Sequence, residues 1–130
     1  MATWQEIQER VRREFTLDVD EERELALTLQ YEREDTERAQ RVMARHYTAW
    51  GRDMVEVRSA FGKAGDYDPA GLLIDNLQLP LGAIALHEGF LVVVQKAALE
   101  DLTVEGVVFL LTRIGLLADA LEERLGKDRF

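Results

Sequence analysis

Leu25, Leu27, Leu29 and Tyr31 alternate with Ala26, Thr28, Gln30 and Glu32. Period two is the signature of a strand with one buried face, and a slip of one residue would turn that whole face to water. The alternation does not stop there. After a polar turn at Arg33 to Glu37, a second run from Arg38 to Thr48 sets Val42, Ala44 and His46 on one face and Arg41, Met43, Arg45 and Tyr47 on the other. Gly51-Arg52-Asp53 reads as the next turn, and Met54 to Phe61 as a third strand with Val55 and Val57 inward. Parallel strands need long crossovers, so turns this short predict an antiparallel meander.

The segments around it have a different period. Trp4, Ile7, Val11 and Phe15 recur at three and four residues, the stripe of an amphipathic helix, with Gln5, Glu9, Arg12 and Arg13 on its other sides. Thr3 and Glu6 stand at capping-box spacing before it. Asp18 to Arg23 reads as a charged, solvated connector; it lacks the glycine turn and ligand order of a calcium loop. Gly62 to Pro69 reads as loop, with Asp68 placed to cap a short helix that opens on Pro69 and carries Leu72, Leu73 and Ile74. Pro80 ends regular structure there.

Gly82 to Leu86 and Phe90 to Gln95 form a second hairpin around His87-Glu88-Gly89, and Val92, Val93 and Val94 mark its second strand as central or covered twice. Asp101 or Thr103 caps a last helix with Val107, Leu111, Ile114, Ala118, Leu121 and Leu125 on one stripe and Phe109 and Leu116 off its axis. Gly126 is placed to end it, before a polar tail from Lys127 to Phe130. The expected order is α-β-β-β-α-β-β-α: one α+β domain over residues 1–130 with a five-stranded antiparallel sheet and flanking helices.

Composition narrows the function. The 130 residues include 25 acidic and 16 basic side chains, for a net charge of −9, and no cysteine. Such a surface repels phosphate backbones, so nucleic acid is a poor partner, and thiolate metal sites and disulfides are excluded. The first residues lack a signal peptide's basic and apolar segments, and Val104 to Leu117, interrupted by Glu105 and Arg113, is too short to cross a bilayer. The expectation is a cytoplasmic protein without membrane insertion.

Catalytic patterns do not emerge. His46 and His87 lack partners at metal-ligand spacing, so each reads as structural or solvated. Ser59 follows Arg58 on a strand and sits in no nucleophile elbow. Gly62-Lys63-Ala64-Gly65 lacks the spacing of a phosphate loop. Glu122 and Glu123 read as solvated or paired with Arg124 and Lys127. The expectation is a protein that is not an enzyme, with no cofactor and no metal.

Two segments carry a resemblance. Leu79-Pro80-Leu81-Gly82-Ala83-Ile84-Ala85-Leu86-His87-Glu88-Gly89-Phe90-Leu91-Val92-Val93, together with the run Leu116 to Asp128 containing Ala118-Asp119-Ala120-Leu121-Glu122, resembles the type III secretion chaperone-like superfamily, including the CesT/Tir-chaperone group and the YbjN proteins. Its class I members are small, acidic, cytoplasmic homodimers without enzymatic activity. They hold an extended N-terminal segment of a secreted effector on apolar surface patches. The resemblance implies a client polypeptide as partner, and a two-fold interface on the middle helix and the strand after it: here Leu72, Leu73, Ile74, Leu77, Leu79, Ile84 and Leu86. A client can be gripped by its backbone at a sheet edge and by its apolar side chains in shallow pockets. The candidates for such contacts are Trp4, Met43, Tyr47, Trp50, Phe109 and Leu116. Each has a plainer reading: Trp4 as helix core, Phe109 and Leu116 as a wider stripe, Met43 and Tyr47 as the back of the sheet or a dimer contact. The alternative to client holding is a structural or regulatory YbjN-like homodimer.

Overall fold

The computed structural model describes residues 1–128. Helix α1 (Trp4–Glu14) is followed by strands β1 (Leu17–Asp20), β2 (Glu24–Arg33), β3 (Thr36–Ala49) and β4 (Arg52–Lys63). Helix α2 (Pro69–Gln78), strands β5 (Ala83–His87) and β6 (Phe90–Ala98), and helix α3 (Val104–Asp128) complete the chain, with short 3-10 turns at Ala64–Asp66 and Leu99–Asp101. The class is α+β, as expected, with one strand more than expected: a single antiparallel sheet in the order β1-β2-β3-β4-β6-β5.

The extra strand is the segment read as a connector. Leu17 packs against the core while Asp18 accepts a hydrogen bond from Thr28 Oγ1 at 2.7 Å and Asp20 pairs with Arg12 of α1 at 2.8 Å. Four residues are too few for the alternation Leu-Asp-Val-Asp to stand out among charges, and pairing to β2 decides the matter. Asp20's carboxyl is held below its ordinary value, first by Arg12's hydrogen bonds.

Three of the connections are two-residue turns with positive φ at both positions: Glu34-Asp35 (52° and 63°), Trp50-Gly51 (51° and 70°) and Glu88-Gly89 (50° and 85°). This is the turn whose twist matches paired strands. The β3–β4 turn therefore falls at Trp50-Gly51, one residue before the expected place, and Arg52 and Asp53 already belong to β4.

Helix caps follow the local signals. Thr3 Oγ1 accepts from the Glu6 N–H and the Thr3 N–H donates to Glu6 Oε1, the reciprocal box. Asp68 caps α2 by accepting from the Gly71 N–H at 3.1 Å, and Thr103, not Asp101, caps α3 through the Gly106 N–H at 3.0 Å. Gly126 does not end α3, which runs through it to Asp128. A glycine permits termination but costs a helix only about 1 kcal/mol when it is passed over. Lys127 and Asp128, expected in a tail, are helical, and Arg129 and Phe130 lie outside the described residues.

The core sits between the sheet and the helices on one of its faces. Leu25, Leu27, Val42, Ala44, Val55, Val57 and Val93 project from β2, β3, β4 and β6 onto Ile7 and Val11 of α1 and Val107, Leu111, Ile114 and Ala118 of α3. Each large side chain buried here contributes roughly 1.5–3 kcal/mol. A polar lock closes one end. Asp119 of α3, 1% exposed, accepts from Arg38 Nη2 at 2.8 Å and Nε at 3.2 Å, with Arg33 3.6 Å away. Arg33 also pairs with Glu123 at 3.0 Å and Arg124 with Asp75 at 3.4 Å, so Glu123 has a partner on β2 and Arg124 one on α2. Burial, then the neighbouring Asp119 carboxylate, pushes the Tyr31 hydroxyl up to about 12. The lock fixes the long β2–β3 hairpin onto α3.

Candidate polypeptide-binding surface

The six side chains expected to meet a client do not converge. Trp4 is 8% exposed, donates from its indole nitrogen to the Glu22 carbonyl at 2.8 Å, and stacks on the His46 ring at 5.6 Å. It is a core residue and offers no client contact; the stripe of α1 that carries it faces the sheet. His46 is held in turn by Asp53, 3.0 Å from its Nε2. Trp50 stands 93% exposed on the β3–β4 turn, outside the lining of the groove that holds Phe109 and Leu116. Its left-handed backbone costs a bulky residue roughly 1 kcal/mol. Met43 and Tyr47 are half-buried on the sheet face turned away from α3, where Tyr47's ring lies 4.6 Å under the Arg45 guanidinium.

Phe109 and Leu116 do come together. About two helical turns apart on α3, they line a groove of about 450 Å3 with Leu117, Ala120, Pro80 and Leu81. Its walls are the off-axis side of α3 and the bent segment between α2 and β5. Arg113 lies 5.3 Å over the Phe109 ring at its margin. Pro80, Leu81 and Leu117 escaped notice in the sequence because Pro80 reads only as a helix stop and Leu117 as one more apolar residue in a helical run.

The expected dimer set divides in two. Leu72, Leu79 and Ile84 pack against the chain's own core and are not spare surface. Leu73, Ile74 and Leu77 are 70%, 67% and 85% exposed on α2, and Leu86 is 66% exposed on β5. The period explains the division: Leu72, Asn76 and the C-cap Leu79, spaced four and three apart, fall toward the fold, and Leu73, Ile74 and Leu77 fall outward. Helix α2 is pinned by its Asn76, whose Oδ1 accepts from the Ile84 N–H at 2.8 Å and whose Nδ2 donates to the Ile84 carbonyl at 3.4 Å. That side chain occupies the edge of β5 where another strand would pair, so α2 blocks backbone addition there.

On the face away from the helices, strand register aligns Arg45, Glu56 and Lys96 in one row across β3, β4 and β6. Glu56 is buried among cations: Arg45 at 3.1 Å, Arg58 at 2.5 Å and Lys96 at 3.8 Å. Burial works to raise its carboxyl, but the hydrogen bonds from Arg45 and Arg58 outweigh this and hold it below the ordinary glutamate range. A carboxyl depressed on folding stabilises the fold above its unfolded value, near 4.3, and that part is lost as pH falls through the folded value. Glu56→Gln is therefore expected to be less stable than the parent by about 1 kcal/mol at neutral pH, after screening. The gap should shrink on acidification below about pH 4. Urea midpoints at several pH values measure it; a gap that is constant with pH contradicts the assignment.

Among the described residues no helix is long and apolar enough to cross a membrane, and no group of histidine and carboxylate side chains is placed to hold a metal ion. No protein-family model matches the chain, and no curated protein matches it.

Proposed function

We propose that this chain is a non-enzymatic polypeptide-binding module that works as a homodimer, in the manner of the class I secretion chaperones it resembles. The observation that carries the reading is the apolar surface its own core leaves over: Leu73, Ile74, Leu77 and Leu86 outward on α2 and β5, beside the groove of Phe109 and Leu116. Contiguous exposed apolar surface on a chain otherwise so charged marks an interaction site. The division of labour follows from shape. The outer side of α2 is convex and suits a second copy across a two-fold axis. The groove is concave and suits the apolar side chains of an extended client. Because Asn76 covers the neighbouring strand edge, side chains and not backbone pairing supply the grip at this end of the sheet. In this reading the client is a segment of a secreted effector, held in the cytoplasm.

Leu73 points to solvent, so Leu73→Asp should fold normally and yield a monomer where the parent scatters light as a dimer. Phe109→Asp should remain dimeric and lose the client. A parent protein that is monomeric at micromolar concentration removes the α2 interface. The scatter of Trp4, Trp50, Met43 and Tyr47 favours the second reading, a structural or regulatory homodimer without client. That reading gains if Phe109→Asp changes no partner.

A further inference from the structure

Where β3, β4 and β6 lie side by side, the sheet face turned away from the helices gathers four cations, Arg41, Arg45, Arg58 and Lys96, on a chain of net charge −9. Arg45, Glu56 and Lys96 form one row across β3, β4 and β6, and Met43, Arg58 and Val94 form the next. Arg41 projects on the same side of β3, exposed, two residues from Met43. Glu56 serves Arg45, Arg58 and Lys96 together and Glu24 stands opposite Arg45 on β2, so the four cations, Arg41 included, meet two carboxylates and positive charge stays in excess. Two of the four cations are held in place, Arg45 over the Tyr47 ring and Arg58 on Glu56. Around them lies a shallow depression of about 380 Å3 with Val92, Val94 and Ala85 in its lining and His87 and Lys96 among its polar side chains. Valine and alanine leave room above the strands that longer side chains would fill.

We propose that this face binds an extended, acidic segment of a partner polypeptide, its carboxylates on Arg41, Arg58 and Lys96 and its small apolar side chains over Val92 and Val94. Charge complementarity selects the occupant. A guanidinium has five donors, so Arg58 and Arg45 can each serve a further carboxylate while keeping Glu56. A nucleic acid fits less well, because the cationic rows cross only three strands, roughly 10 Å. Toward β2 and β1 carboxylates border them, Glu24 opposite Arg45 in register and Asp18 accepting from Thr28. An alternating segment fits both features, since its carboxylates and its apolar side chains can each find their own kind of site. The surface meets the α2 side only at Leu86 and shares no lining residue with the Phe109 groove, and the proposal does not depend on either binding a client.

The test is fluorescence anisotropy with a labelled Glu-Val repeat peptide against a Gln-Val repeat, at low and at physiological ionic strength. The acidic peptide should bind at least about tenfold more tightly, with an affinity that falls as salt rises. Lys96→Glu combined with Arg41→Glu should abolish that preference. Both side chains are exposed, so circular dichroism should not change; the urea midpoint should fall only modestly, because Lys96→Glu sets a like charge opposite Glu56. Leu73→Asp should leave the binding intact. The proposal is overturned if the two peptides bind alike, if the double variant still prefers the acidic one, or if Phe109→Asp removes the binding instead. Tighter binding of a labelled oligo-uridylate overturns it in favour of nucleic acid. Loss of the protein's own self-association in the double variant overturns it in favour of a second copy.

Discussion

Arg38→Met is expected to cost about 3 kcal/mol of folding stability, and Asp119→Leu distinctly less, about 1 kcal/mol. The asymmetry comes from where each charge is left. Asp119 is 1% exposed and takes both of its short hydrogen bonds from Arg38. Without Arg38 its nearest cation in the lock is Arg33, beyond hydrogen-bond length at 3.6 Å and already engaged by Glu123. A buried carboxylate would then keep only the distant Arg33 and no short hydrogen bond from a cation, which is the expensive case. Arg38, by contrast, has a side chain 28% exposed, so it can turn to water when Asp119 is gone. The double variant should recover most of the loss, since an apolar pair of similar volume is often as stable as a buried ion pair. Urea unfolding of the four proteins measures all of this as a cycle. Equal costs for the two single variants would refute the claim that the carboxylate, and not the guanidinium, is the trapped charge.

Gly115→Ala is expected to destabilise by about 1–2 kcal/mol even though alanine is the better helix former. The propensity gain is about 1 kcal/mol. Against it stands geometry: a Cβ at residue 115 would lie 2.5 Å from Val42 Cγ2 and 2.6 Å from Leu29 Cδ1. Val42 is fully buried and branched at Cβ, so its χ1 is restricted and it has little room to retreat. Overpacking of this kind costs about 1–3 kcal/mol and here outweighs the gain. Glycine at this point lets α3 lie close on β2 and β3. Val42→Ala in the same background should cost less than the sum of the two changes, because it removes the clashing methyls. A stabilised Gly115→Ala would mean that the helix can lift away from the sheet without penalty.

Local signals were legible wherever the physics is local. The capping box of Thr3 and Glu6, the Asp68 cap before Pro69 and the alternation of β2, β3 and β4 involve groups a few residues apart, and each forms where its pattern predicts. β1 was not legible, because four residues with two aspartates make a strand only when β2 is there to pair with. The turn at Trp50-Gly51 lies one residue from its expected place because the sequence marks it by Gly51 alone, while the hairpin register of β3 on β4 sets which two residues lie outside the ladder.

For the candidate site the same boundary applies. That α2 carries spare apolar side chains follows from its sequence, but Leu72 and Leu79 turn inward while Leu73, Ile74 and Leu77 turn outward because α2 leans on the fold along one side. That Phe109 and Leu116 lie off the main stripe of α3 follows from helical spacing; their groove needs Pro80 and Leu81, some thirty residues earlier in the chain, as the facing wall. By itself, then, the sequence determined the α+β class, the helix starts, the alternation of the long strands and the acidic balance, all of which rest on periodicity, caps and charge. Only the tertiary structure decided which face of the sheet the helices cover, and with it the burial of Trp4, the exposure of Arg41 and Lys96, and the lock of Asp119 on Arg38. Period two defines two faces and is silent about which of them receives a helix; that choice belongs to packing between segments far apart in the chain.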